Sequence, residues 1–290
     1  MNCAKGKLLG AMGIFGTIGL FVRFIPLPSS VIALCRAVLG LGFLILVMVL
    51  SGKRPDWTKL KKSILLLLLS GAVMGLNWLL LFESYRFTTV ATATVCYYFA
   101  PLFLLLLSPL LGEKLTAEKL ICILVALVGL VCVSGIGETG LPEAKELTGI
   151  LLGISAAALY AGVMFMNKKL PPLPAYDKTV FQFLGAIVVL VPYVLLSETV
   201  SFASLTGLQW AMLTVIGIVH TGVTYTLYFG ALEKLSAKTI GVLCYLDPVL
   251  AVILSALILK EPMRPLHILG TVLVLGSALY SELPKKRAPI

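Results

Sequence analysis

The stretch VLCYLDPVLA at 242–251 sets one carboxylate, Asp247, beside Pro248 in a run that is otherwise apolar for about twenty residues, a costly place for a charge. An earlier stretch, VCYYFAPLF at 95–103, has the same frame, with Val95, Tyr98 and Pro101 where the later one has Val242, Tyr245 and Pro248. The earlier copy carries Ala100 where the later carries Asp247. Two questions follow: what solvent surrounds these runs, and whether the two copies belong to a repeat.

The 290 residues are 59% hydrophobic and only 12% charged, with a mean hydropathy of +1.05, which does not suit a water-soluble protein. In lipid a chain must satisfy its own backbone hydrogen bonds, and a helix of about twenty apolar residues crosses the hydrocarbon. Ten segments qualify, at 7–24, 30–50, 63–83, 88–111, 119–136, 148–167, 179–197, 208–232, 238–259 and 266–283. The first, with Lys5 and Lys7 ahead of its apolar run, resembles a signal peptide but lacks a small-residue cleavage site, so it is expected to be a retained helix. Splitting or merging at the proline-containing joints 26–28 and 171–174 gives nine or eleven spans instead.

Charge favours the even count. With ten spans, Arg23, Arg86, Lys145, Lys260 and Arg264 fall on one side and Arg36 falls within a span, while the rest of the 23 basic residues share the side of both termini. Among these are Lys53, Arg54, Lys285, Lys286 and Arg287. The asymmetry predicts cytoplasmic termini in the cell membrane. It also explains the net charge of +10, which in a soluble protein would point to nucleic acid but here is spread over short loops. The cluster KRPDWTKLKK at 53–62 is additionally placed to touch anionic headgroups. Of six cysteines, Cys3 is placed in the cytoplasm and the others within helices, as small apolar fillers rather than a disulfide framework.

Shifting the chain by 143 to 148 positions brings its halves into register. Phe15 falls on Tyr160, Pro28 on Pro174, Arg36 on Gln182, Phe82 on Phe229, Tyr98 on Tyr245, Pro101 on Pro248 and Glu113 on Glu261. Each half holds five spans, and an odd number forces the halves into opposite orientations, as in many secondary transporters. The expected fold is an all-α integral membrane protein of ten transmembrane helices in two inverted five-helix repeats, residues 1–137 and 146–290, joined near IGETGLPEAKELT at 136–148.

The chain thus resembles the drug/metabolite transporter superfamily, in particular its ten-helix members with two EamA-type repeats. The resemblance rests on ALCRAVLG (33–40), YRFTTVATA (85–93), LEKLSAKTIG (232–241), the mid-helix prolines, and LLGEKLTAEK (110–119) and ILKEPMRPLH (258–267) at the exits. The family often has Trp-Gly where this chain has Phe15 and Gly16, and a Gly where Cys122 stands. The resemblance implies alternating access around a cavity lined by helices one to four and six to nine, with five and ten peripheral. It leaves the substrate open, since the superfamily includes exporters of amino acids and other metabolites, importers and drug efflux proteins.

Polar groups at mid-membrane depth are the candidate site residues. Asp247 lies near the centre of helix nine, where Asp-Pro suits an N-cap and first helical position; it either binds a proton or cationic group or caps a broken helix. His220 shares a face with Thr224 and Tyr228 at four-residue spacing, widened by Thr221 and Tyr225, and serves either proton coupling or helix–helix hydrogen bonding. Asn77 and Trp78 occupy the matching stretch of helix three, with Asn77 opposite Thr224, as substrate contacts or as packing. Tyr98 and Tyr245 suit an aromatic cavity wall for an amphipathic solute. Arg36 either attracts a carboxylate or pairs with Glu83, the pairing being slightly favoured. Pro101 and Pro248 are the hinge candidates.

There is no Walker A pattern, no dinucleotide glycine pattern, no HExxH and no cluster of acids at an interface. The two histidines, His220 and His267, do not make a metal site, so neither metal nor cofactor is expected. The reading is a secondary transporter, not an enzyme, that exports an amino acid or related metabolite, with the lipid bilayer and a small-molecule substrate as partners and a proton as candidate coupling ion. An uptake permease or a multidrug efflux protein of the same fold is the alternative. A membrane enzyme acting on lipid-linked substrates is the rival from another class. Oligomeric state stays open.

Overall fold

The computed structural model describes residues 2–52, 55–112, 114–134, 142–199, 202–232 and 234–282, and all regular structure among them is helical. Lys53, Arg54, Glu113, the joint segment 136–141, Lys285, Lys286 and Arg287 lie outside the described residues. Among the described residues ten helical spans follow one another. They are α1 (Cys3–Phe24), α2 (Ser29–Leu50), α3 (Ile64–Phe87), α4 (Val90–Leu111), α5 (Ala117–Val133), α6 (Ala144–Lys169), α7 (Ala175–Ser197), α8 (Gly207–Ala231), α9 (Ala237–Cys244 continuing as Leu246–Leu257) and α10 (Pro265–Glu282). Seven of them, α1 to α4 and α6 to α8, are long and apolar enough to cross a membrane by length and composition. The shorter α5 and α10 and the broken α9 are largely apolar, with Asp247 at the middle of α9.

The helix starts repeat between halves. Pro28 and Pro174 hold nearly equal dihedral angles ahead of α2 and α7, where the missing N–H costs nothing. Thr89 caps α4 by accepting from the Thr92 amide, and Ser236, its counterpart, caps α9 by accepting from the Thr239 amide. The exits repeat as well. Gly112 after α4 and Lys260 after α9 both take left-handed backbone, at φ 79° and 53°.

Packing follows the same exchange. Helix α3 lies chiefly on α6 and α7, while α8, five places on, lies on α1 and α2; α4 contacts α6 as α9 contacts α1. The pairs α2–α7, α4–α9 and α5–α10 map onto themselves. Directions are opposed, since Arg23 at the end of α1 reaches Tyr85 at the end of α3, whereas Gly149 at the start of α6 accepts from Ser84 on that same stretch of α3. The halves are therefore interleaved, and the two five-helix sets are inverted. Helices α5 and α10 cross each other closely at Gly129 and Gly270 on one flank.

Close approach replaces the hydrophobic effect as the source of cohesion where lipid is the solvent. A Cβ at Gly71 in α3 would stand 2.0 Å from the Gln182 carbonyl oxygen in α7, and one at Gly185 in α7 would stand 2.2 Å from the Leu68 carbonyl oxygen in α3. Outward faces carry Leu65, Leu195, Leu196 and Val49, all largely exposed, as a lipid-facing surface requires.

Candidate functional site

Four spans lose regular helix at the same depth. Helix α4 breaks at Tyr98–Phe99 and α9 at Tyr245, each just before a proline that cannot supply the N–H and crowds the carbonyl four residues back. Helix α1 breaks at Gly16–Thr17, and α8 passes through a π-helical turn at Ile218–Val223. These irregular stretches touch: Gly16 lies against the Asp247 carbonyl, Thr17 bonds His220, and the Tyr98 and Tyr245 rings sit 5.7 Å apart.

Asp247 accepts a hydrogen bond from the Tyr98 hydroxyl at 2.9 Å, so a carboxylate whose counterpart in the first half is Ala100 is held by a residue of that half. Both side chains are half-buried. The expectation that Asp247 caps a half-helix is corrected. The second part of α9 starts at Leu246 with Tyr245 as its N-cap residue, and Asp247 lies inside the first turn with its carboxylate turned across the interface. The reason is that the break falls at Tyr245, two residues earlier than an Asp-Pro cap needs.

Arg36 is also placed differently from the favoured reading. Glu83 stands 3.8 Å from Arg86, one turn along its own helix, and not beside Arg36. The Arg36 guanidinium lies over the Trp78 ring, 4.3 Å from its centroid, and its Nε donates to Thr221 Oγ1 at 2.9 Å. Arg36 is 5% exposed, and among the described residues it has no carboxylate within ion-pair distance. Gln182, its counterpart, instead donates to Ser70 and Asn167.

His220 is sealed, with Nε2 2.8 Å from Thr17 Oγ1, Nδ1 3.3 Å from the Val215 carbonyl and the Phe21 ring against its edge. The π-turn redirects the residues predicted to share one face. His220 meets α1, Thr221 meets Arg36 on α2, and the Thr224 hydroxyl turns back to the Val219 carbonyl. Tyr225 packs edge-on to Phe15 and Phe183. Asn77 donates to the Ala156 carbonyl of α6 at 2.6 Å and accepts from the Tyr97 hydroxyl, so its amide ties helices together. Trp78 packs on Phe183 beneath Arg36. Pro101 and Pro248 both stand in the first turn after a break.

The sequence reading missed Thr17, Tyr97 and the π-turn. A Gly-Thr pair inside an apolar span was the available signal for the first, and Tyr97 stood beside the residue that was chosen. The π-turn leaves no trace in spacing, because its extra residue is absorbed where Thr221 and Thr224 hydroxyls bond the carbonyls five residues back.

At the end of the bundle where α1 finishes, Arg23 donates to the Tyr85 and Thr88 carbonyls and stands 3.8 Å from Glu261. Glu261 accepts from the Val90 amide and the Ser255 hydroxyl. This network joins α1, the α3–α4 turn and the end of α9. At the opposite end, Asp177 of α7 accepts from the Asp56 amide. Asp56 itself, on the surface, is held below the usual carboxylate range by hydrogen bonds from Thr58 and Lys59.

The model of the EamA-like transporter family matches this chain twice, over residues 7–135 and 147–281. The uncharacterized transporter YxxF of Bacillus subtilis (strain 168) is 33% identical over 253 residues, 86% of this chain and 79% of that protein. The uncharacterized transporter YetK of the same organism is 29% identical over 97% of this chain and 87% of its own length. The biotin transporter of Escherichia coli (strain K12) is 25% identical over 74% of this chain and 73% of its own. A solved crystal structure with 17% sequence identity is similar over 96% of both chains, with a TM-score of 0.65, a likeness in fold alone. This chain is a multi-pass membrane transporter and belongs to the EamA-like transporter family of the drug/metabolite transporter superfamily.

Proposed function

We propose that this protein is a secondary active transporter that exports a small carboxylate-bearing metabolite, an amino acid or a related compound, across the cytoplasmic membrane by alternating access. The reading is carried by one observation. A charged guanidinium without a carboxylate partner, Arg36, and a half-buried carboxylate, Asp247, stand in the same membrane-depth interior, one available to a substrate carboxylate and the other to an amine or a proton. Aromatic rings around them, Tyr97, Tyr98, Tyr160, Tyr225 and Tyr245, supply the apolar wall that an amphipathic solute needs.

The two repeats, residues 1–137 and 146–290, move against each other, with the breaks before Pro101 and Pro248 as hinges. Both termini face the cytoplasm, from the distribution of basic residues. Coupling to a proton runs through Asp247, because protonation turns its charge-assisted bond from the Tyr98 hydroxyl into a weaker neutral one and loosens the tie between the halves. Uptake of a carboxylate such as biotin is the second reading, favoured by the biotin transporter's similarity and by the same Arg36.

The test is accumulation of labelled amino acids and biotin in proteoliposomes, with and without a pH gradient, for the wild type and Asp247→Asn. Gradient-driven accumulation abolished in the variant supports the reading. Gradient-driven accumulation that the variant retains removes Asp247 from coupling and moves the search to His220.

A further inference from the structure

A cavity of about 290 Å³ opens at the end of the bundle where α1 finishes, one helical stretch above Arg36, and its lining includes Arg23, Arg86, Tyr85, Ser29 and Ile32. We propose that this cavity is a binding subsite for the carboxylate of a small organic anion, the outer stage of the route whose inner stage is Arg36. The proposal rests on the transporter reading above and deepens it by assigning a second anion site.

Three observations carry it. The lining holds two guanidinium groups and no carboxylate. Glu261 and Glu83 stand behind those groups at 3.8 Å each, longer than a hydrogen bond, so neither guanidinium is saturated by its acid. Second, Ser29 is 3% exposed, lines the cavity, and its hydroxyl has no hydrogen-bond partner. A buried hydroxyl left unsatisfied is costly and marks a place for a polar ligand. Third, Ser29 is the first residue of the 22-residue helix α2, whose N-terminal dipole favours an anion at that point.

The subsite is in line with Arg36. Ser29, Ile32 and Arg36 follow at three- and four-residue steps along one face of α2, and seven residues of helix span about 10 Å. A carboxylate leaving the Arg36 guanidinium therefore meets Ser29 and Arg23 two turns further along the same helix.

The test uses the full chain purified in dodecyl maltoside, with Ser29→Cys modified by methyl methanethiosulfonate and followed by mass spectrometry at the peptide that holds the new thiol. Benzoate is the probe and benzamide its neutral control. Benzoate should slow the modification several-fold and benzamide should not. Arg23→Gln and Arg86→Gln should each raise the benzoate concentration needed for protection about tenfold, the effect of one charge-assisted hydrogen bond. Ile32→Cys serves as a second reporter in the same cavity should Ser29→Cys fail to fold. Equal protection by the two probes, or none by either at both positions, overturns the proposal. Protection by added phosphatidylglycerol but not by benzoate also overturns it, and makes the cavity a lipid-headgroup site. No transport is measured, so a failed proteoliposome assay and a failed protection assay are separate results.

Discussion

Tyr98 of the first repeat donates its hydroxyl hydrogen to Asp247 of the second, and the two residues stand three and one positions before equivalent prolines. This bond crosses the α4–α9 contact, one of the pairs that the internal symmetry maps onto itself. Symmetry alone would place identical groups on both sides. Ala100 in the position equivalent to Asp247 leaves a single carboxylate beside two equivalent tyrosines, and Tyr98 is the one seen to donate to it, so the contact is asymmetric.

Removing either end of that bond should be unequal in effect. Tyr98→Phe keeps the ring and leaves Asp247 without its acceptor role, and transport should fall by about tenfold or more, the range of a hydrogen bond to a charged group. Asp247→Asn keeps the shape and removes the charge, so exchange should survive while gradient-driven accumulation is lost. Initial rates in proteoliposomes with and without a pH gradient separate the two.

Arg36 offers a sharper contrast. Its planar guanidinium stacks on Trp78 and bonds Thr221, a combination that a lysine ammonium does not reproduce. Arg36→Lys should raise the KM for a carboxylate substrate about tenfold with a smaller change in turnover, and Arg36→Gln should raise it further. A substrate amide should be insensitive to both. Equal losses for acid and amide would mean that Arg36 acts on folding and not on recognition.

The limits of the sequence are instructive at these residues. The spans, their pairing into fives and the prolines were legible because lipid imposes apolar length and because equivalent turns reuse the same residue types, as at Pro28 and Pro174 or Thr89 and Ser236. The partner of Arg36 was not. Glu83 lies near the right depth in sequence, but its orientation is decided by Arg86 three residues away. A helical wheel also misplaced Thr224, because one π-turn changes which neighbour each later side chain meets. Patterns record burial and spacing; they do not record where a helix is interrupted.

One substitution at an exit turn and two within helices should separate backbone strain from packing. Lys260 holds φ 53° where the first repeat has Gly112, and a side chain there costs about 1 kcal/mol. Lys260→Gly should therefore raise the thermal midpoint slightly. Gly71→Ala should lower it by several degrees, since the new methyl would meet the Gln182 carbonyl at 2.0 Å and a backbone oxygen cannot step aside. Gly42→Ala, with nothing within 4 Å, is the control that should stay neutral or gain. Thermal unfolding in one detergent compares all three.

Orientation gives the last prediction. Arg23, Arg86, Lys145 and Lys260 surround one end of the bundle, and the basic residues of the opposite end outnumber them. The positive end faces the cytoplasm in most membrane proteins, because translocating a short basic loop against the membrane potential is unfavourable. In intact cells, a membrane-impermeant maleimide should therefore label Lys145→Cys but not the exposed native Cys3, and should reach Cys3 once the cells are opened. The reverse pattern would turn the molecule over. The Arg23 cavity would then open to the cytoplasm, and an exported carboxylate would meet it before Arg36 instead of after.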